Sequence, residues 1–95
     1  MTGMVQGMKS CILDGSALPD AVAVYRQLGE AVRAPAYFGN NPDALWDAIT
    51  EYSEPIEIVW RNSALSAALL GRRFDEIVAV LQRAAADGML KFELA

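Results

Sequence analysis

The chain has 95 residues, 54% of them apolar or aromatic, which suffices for one domain with a hydrophobic core. A single cysteine, Cys11, excludes an intramolecular disulfide, and the absence of histidine removes the commonest general base and metal ligand. We therefore expect a protein that is not an enzyme and that holds no metal or cofactor. The net charge of −4 is concentrated in residues 33–57, which contain five acidic residues and one arginine. This patch predicts a basic protein partner and disfavours nucleic acid.

The N-terminal segment predicts a tail followed by one domain. We interpret residues 1–7 as an N-terminal tail that carries no clear structural signal, and residues 8–95 as the domain. No apolar run approaches the ~20 residues that span a bilayer, so we expect no membrane association. The first residues also lack the apolar middle region of a secretory signal. The expected location is the cytoplasm.

The first predicted elements are a strand and a helix. Residues 10–13 are apolar, and the Asp-Gly pair at 14–15 ends this run, which is typical of a strand followed by a turn. Pro-Asp at 19–20 can open a helix, and apolar residues recur at helical spacing through 21–32. The Ala-Pro pair at 34–35 disfavours continuing that helix.

A loop over 35–41 leads to a second helix. Asn41 is a good N-cap residue, Pro42 suits the first helical position, and Asp43 places a negative charge at the positive end of the helix. We expect this helix to end near Tyr52.

The second half of the chain predicts the order strand, helix, helix, strand. Residues 55–60 are rich in β-branched residues. Asn62 and Ser63 can cap a short helix that runs to Leu70, and Gly71 can end it.

The remaining elements complete an α/β fold. An apolar stripe over 74–85 marks a helix that closes near 87–88, and residues 90–94 form a last strand. The order β-α-α-β-α-α-β predicts a small three-stranded parallel sheet with about four packed helices. The residues expected in the core include Cys11, Ile56, Ile58 and Trp60.

The helix that begins at Pro42 has two faces of different chemistry. Its apolar stripe comprises Leu45, Ala48, Ile49 and Tyr52. Its acidic row comprises Asp43, Asp47 and Glu51 at i, i+4 and i+8, with Trp46 and Thr50 beside them. Like charges at this spacing destabilise a helix by about 0.2–0.5 kcal/mol per pair, and no basic residue nearby relieves them. The row therefore indicates a surface that binds a basic pocket.

Residues 37–50, YFGNNPDALWDAIT, resemble the signature of the barstar family of ribonuclease inhibitors. The resemblance extends from Met8 to the end of the chain and includes Pro35, the strand that ends at Trp60-Arg61, and the Asp-Gly turn at 87–88. It implies a barstar-like parallel sheet with packed helices. It also implies an inhibitory surface formed by the 35–41 loop and the following helix.

The resemblance also assigns residues to that surface. Asp47 matches the family's principal acid, which occupies the place of the substrate phosphate, and Trp46 matches the tryptophan beside it. Phe38 and Gly39 can add aromatic area and allow close backbone approach. The predicted partner-binding residues are Tyr37, Phe38, Gly39, Asn41, Asp43, Trp46, Asp47, Thr50 and Tyr52. The implied partner is a barnase-like or polymorphic-toxin ribonuclease, bound by an immunity protein that is monomeric when free.

This chain departs from the family pattern at Tyr52 and Arg83, and the change at Tyr52 is conservative because the family also has an aromatic contact there. Arg83 aligns with a contacting glutamate of the family, so a strongly basic partner would be bound less well, or the partner has an acid at that point. The family type has a cis peptide bond where this chain has Glu54-Pro55, and the sequence leaves its isomer open.

Other interpretations of the same residues remain open at this stage. Asp47 alone could be a solvated residue, Trp46 could belong to the core, and Tyr37 could anchor the loop. Asp43, Asp47 and Glu51 could instead bind Mg²⁺ or Ca²⁺, which titration with both cations would reveal. A third hypothesis is an adaptor of the same fold that binds a different basic protein.

Overall fold

The computed structural model of the chain describes residues 8–35 and 38–95. Its elements are β1 (Lys9–Asp14), α1 (Ala21–Ala31), α2 (Pro42–Glu51), β2 (Ile56–Arg61), α3 (Ser63–Leu70), α4 (Arg72–Ala86) and β3 (Lys91–Leu94). The predicted class, an α/β domain with three parallel strands and four helices, is confirmed. The predicted tail, residues 1–7, and the predicted contact Tyr37 lie outside the described residues.

The sheet has the order β1-β2-β3, with β2 paired in parallel to both neighbours. Side chains alternate across the sheet, so Ile56, Ile58 and Trp60 share one face and are buried to 2% exposure or less. The predicted core residues on β2 are confirmed, and so is buried Cys11 of β1, which pairs with Ile58. The peptide bonds of the described segments are all trans, and this includes the bond before Pro55.

The helices close the buried side of the sheet. Helix α1 packs against β1, α4 packs against β3, and α2 contacts both α1 and α4. Leu45 and Ile49 are the buried residues of α2, so the predicted apolar stripe faces the core. None of the helices in the described segments is long and apolar enough to cross a membrane.

Two of the three predicted helix starts have the expected side-chain cap. Asp20 Oδ1 and Asn41 Oδ1 each accept a hydrogen bond from the backbone N–H three residues later, at 2.9 and 2.8 Å. Asn62 is the N-cap residue of α3 as predicted, but its backbone is left-handed, with φ of 53°, and its side chain makes no cap hydrogen bond. Its Nδ2 instead donates to Asp14 Oδ1 at 2.9 Å and ties α3 to the end of β1.

Trp60 is the centre of the junction between β2, α3 and α4. Its side chain is fully buried, and its ring meets the ring of Phe74 edge-on, with centroids 4.9 Å apart. Its Nε1 donates to the Oγ of buried Ser66 at 2.9 Å. Gly15 lies against the same junction, where a Cβ atom would overlap the carbonyl oxygen of Asn62.

Asp14 makes the stability of this junction depend on pH. Its Oδ1 accepts hydrogen bonds from Asn62 Nδ2, Ser16 Oγ and Ser16 N, and these hold the pKa of the carboxyl below its usual 3.8. A pKa that is lower in the folded than in the unfolded chain stabilises the fold above pH 3.8, and the gain is lost as pH falls below that value. We therefore expect wild type to be more stable than Asp14→Asn at about pH 5, with a smaller difference at about pH 3. Urea unfolding at both pH values tests this, and an equal difference at both would contradict it.

Candidate protein-binding surface

Helix α2 holds the predicted acidic row on its exposed side. Asp43, Asp47 and Glu51 are all exposed, opposite the buried Leu45 and Ile49. Because the Asn41 cap fixes the start of the helix and two apolar anchors fix its rotation, the direction of the row is set by the fold. Asp47 is therefore turned outward and is available to a partner.

Thr50 lies one turn after Asp47 on the same side of the helix. Its side chain is exposed, and its Oγ1 donates a hydrogen bond to the backbone carbonyl of Asp47 at 2.9 Å. The hydroxyl proton is thus engaged within the helix, while the oxygen lone pairs can still accept. A donor on a partner that reaches Asp47 would also find Thr50 in range as an acceptor.

Asp47 lines two neighbouring hollows. A groove of about 440 Å³ lies on the α4 side and is lined by Pro42, Asp43, Trp46, Asp47, Ala79, Val80 and Arg83. A hollow of about 270 Å³ lies on the loop side and is lined by Pro35, Phe38, Gly39, Ala44, Asp47, Ala48 and Glu51. The carboxylate therefore stands between two concave regions, each of which can receive side chains of a partner.

Trp46 is both part of the core boundary and part of the groove. It is half-buried and packs against the core, and the guanidinium carbon of Arg83 lies 4.2 Å from its ring centroid. Such a cation–π contact stabilises an exposed site by about 0.5–1 kcal/mol. The ring thus serves as a platform for Arg83. A direct contact between Trp46 and a partner stays a prediction.

Phe38 is seated on α1. It is half-buried against the core, and a Cβ atom at Gly29 would lie 2.9 Å from Phe38 Cδ2. Glycine within a helix costs about 0.5–1 kcal/mol relative to alanine, and here the missing side chain makes room for the ring. Gly29 was not among the predicted site residues, although a glycine inside an apolar helical stripe is a signal of close approach.

Tyr52 directs its polar atom into the protein. It is the C-cap residue of α2, and its buried hydroxyl has no hydrogen-bond partner in the described segments. Lys9 Nζ lies 5.8 Å from the centre of its ring. Because its hydroxyl is buried, Tyr52 can contact a partner only through its ring. Its role as a contact stays a prediction.

The structure brings most of the predicted site residues together. Of those on or next to α2, four are exposed (Asn41, Asp43, Asp47 and Thr50), and Trp46 lies half-buried beside them. Phe38 and Gly39 join it across the smaller hollow. Within 8–35 and 38–95, no group of three or more His, Cys, Asp or Glu side chains is arranged to hold a metal ion. The geometry thus gives no support to the hypothesis of a cation site on the acidic row.

The fold and this surface define a small α/β domain that presents an acidic helix beside an aromatic loop. The chain belongs to the barstar family: residues 8–94 match the family model described as "Barstar (barnase inhibitor)". It is also similar to a protein of Bacillus subtilis (strain 168) named "Putative ribonuclease inhibitor YrdF", with 32% identity over 78 residues. That match covers 81% of this chain and 86% of the relative. Members of the family are inhibitors and not enzymes, which confirms the prediction that this chain is not an enzyme.

Proposed function

We propose that this chain inhibits a basic ribonuclease, of the barnase-like or toxin class, by placing α2 and the adjoining loop in the active-site cleft. The observation that carries the proposal is the exposed Asp47 on a helix fixed at its start and along its buried face. Ribonuclease clefts concentrate positive charge to bind phosphate, so a carboxylate on a rigid support can occupy the phosphate position. The two hollows beside Asp47 supply room for the walls of the cleft.

The proposed contact set has three parts with different tasks. Asp43 and Asp47 supply charge. The loop contacts come from Tyr37, Phe38 and Gly39. The remaining residues, called the α2 flank, supply polar and aromatic area. The flank comprises Asn41, Trp46, Thr50 and Tyr52. Charge on this surface also attracts a cationic partner over a distance, which raises the association rate at low salt. In this proposal the chain acts in the cytoplasm as a monomeric immunity protein.

Titration of barnase with the chain tests the proposal directly. We expect RNA cleavage to fall to the background at a near-stoichiometric ratio, because a plugged cleft cannot admit substrate. We also expect the association rate to fall as salt is raised, because the attraction between opposite charges is screened. Unchanged cleavage at a large excess of the chain, by barnase and by toxin ribonucleases alike, would contradict the proposal.

A second candidate is an adaptor that uses the same surface to bind a different basic protein. Arg83 within the groove favours it, because a positive charge at this place is unexpected for a site that only binds a cationic cleft. An adaptor would bind its partner without changing RNA cleavage by any ribonuclease. The inhibition assay therefore separates the two candidates.

Gly29→Ala tests whether the packing of the Phe38 ring against Gly29 matters for binding. A methyl group at this position would push the Phe38 ring outward and move the loop, while the helix gains about 0.5–1 kcal/mol from alanine. We expect the free energy of unfolding to change little and the affinity for the ribonuclease to fall about tenfold, equivalent to about 1.4 kcal/mol. Gln27→Ala, at an exposed position of the same helix, is the matched control. Equal inhibition by both variants would show that the loop position is unimportant.

A further inference from the structure

The groove between α2 and α4 carries charges of both signs. Asp43 and Asp47 line it from α2, and Arg83 lines it from α4. The neighbouring lining residues Ala79 and Val80 are apolar, so the groove itself has no second cation to share an anion with Arg83. A partner that fills this groove therefore meets two carboxylates and one guanidinium within a volume of about 440 Å³.

Arg83 contacts the Trp46 ring in the free protein. Its guanidinium carbon lies 4.2 Å from the centre of the Trp46 ring, and Trp46 is itself packed against the core. Arg83 also lies in the last turn of α4, where the helix dipole favours a positive charge. A cation–π contact does not use up the N–H donors of a guanidinium, which can still donate to an acceptor on a partner.

A guanidinium in this groove discriminates between partners by the charge that they place opposite it. A carboxylate can accept two parallel hydrogen bonds from the N–H edge of arginine, and this pairing requires little further ordering of the side chain. A lysine or arginine at the same place would be desolvated next to a like charge. Repulsion of this kind is how interfaces reject closely related partners.

We infer that Arg83 is a specificity-determining residue, which selects ribonucleases that present a carboxylate to the α2–α4 groove and disfavours those that present a cation there. The inference rests on the proposed function. It adds a property of the partner, which must combine cations facing Asp43 and Asp47 with an acidic side chain facing Arg83. A uniformly cationic cleft does not meet this requirement.

Charge reversal at position 83 is the first part of the test. Binding of barnase is measured by titration calorimetry for wild type, Arg83→Glu and Arg83→Gln, after thermal melting has shown that each is folded. Arg72→Glu is the matched control, because it changes the net charge equally at an exposed position at the other end of the same helix. We expect Arg83→Glu to bind barnase at least about tenfold more tightly than Arg72→Glu does, with Arg83→Gln in between.

The second part places a carboxylate on the partner. A panel of barnase variants is prepared in which single lysines or arginines around the cleft are changed to Glu. The preference is the ratio of the affinities of wild type and Arg83→Glu for the same ribonuclease. For at least one barnase variant, we expect this ratio to favour wild type at least about tenfold more than it does for barnase itself. An equal preference across barnase and the whole panel would overturn the inference.

The two failures can be told apart. Suppose that Asp47→Ala loses inhibition and that no barnase variant changes the preference between wild type and Arg83→Glu. The proposed function then stands, and Arg83 has no role in specificity. Failure of wild type and of every position-83 variant to bind barnase, any panel member or any toxin ribonuclease contradicts both.

Discussion

Asp47→Ala is expected to lower the affinity for the ribonuclease by about 3–5 kcal/mol while leaving the chain folded, because truncation leaves buried cations of the cleft without their partner. The side chain is exposed in the free protein, so its removal costs no internal contact of the core. Its loss also removes like-charge repulsion along α2, and alanine favours helix, so the free energy of unfolding is expected to stay equal or rise slightly. Inhibition constants and urea unfolding of the same samples measure the two effects.

Two further variants make this result specific. Asp75→Ala removes an equal charge from an exposed position in the first turn of α4, and we expect its affinity to remain within about twofold of wild type. Asp47→Asn keeps the shape and removes only the charge, so a loss close to that of alanine would assign the effect to the carboxylate. If Asp47→Ala inhibits as well as wild type, α2 is not the element that enters the cleft.

Gly15→Ala is expected to produce the largest loss of stability among the substitutions considered, about 3 kcal/mol, which is a severe value for overpacking. The added Cβ atom would overlap the carbonyl oxygen of Asn62 and lie 2.8 Å from Ser66 Oγ. Neither group can move easily, because the Asn62 carbonyl accepts backbone hydrogen bonds from Leu65 and Ser66 at the start of α3, and Ser66 Oγ accepts the Trp60 hydrogen bond inside the core. The unfolding temperature is expected to fall by roughly 12–24 °C, given about 4–8 °C per kcal/mol for a domain of this size.

Gly88→Ala is the control for this prediction. Its φ of 78° favours glycine, but a Cβ atom there would meet no heavy atom within 4 Å, so only the backbone conformation is penalised, by about 1–2 kcal/mol. At 25 °C both variants are expected to inhibit the ribonuclease normally, because neither position lines the two hollows beside Asp47. A loss in Gly15→Ala no greater than in Gly88→Ala would show that the junction adapts to the methyl group.

Much of the fold could be predicted because its signals are local. The Asn-Pro-Asp sequence at 41–43 sets the start of α2 by capping and by the fixed φ of proline, and the structure has that start. The alternation of buried residues along β2 is likewise visible in the sequence. Arg33 lacked such a signal: it follows α1 with φ of 55°, where glycine is usual, and the hydrogen bonds from Arg33 N to Glu30 O and from Ala34 N to Gly29 O close the end of the helix around it.

The site was less predictable, because its decisive contacts join distant parts of the chain. The acidic row follows from helical spacing alone, which is why Asp43 and Asp47 could be singled out. The stacking of Arg83 on Trp46 depends on how α2 packs against α4, and spacing within either helix carries no information about it. The same holds for Phe38 and Gly29, whose contact depends on the path of the loop over α1.

The connection between β1 and β2 has a consequence for when the protein can act. Both α1 and α2 lie within this connection, and the pairing of Lys9 with Ile56 closes a long loop before the sheet can form. The groove beside Asp47 is completed by α4, which the ribosome makes only after β2. A nascent chain that has left the ribosome only as far as β2 thus contains every carboxylate of the acidic row but lacks the α4 side of the groove. Under the proposed function, inhibition can begin only after α4 has been synthesised and has packed against α2.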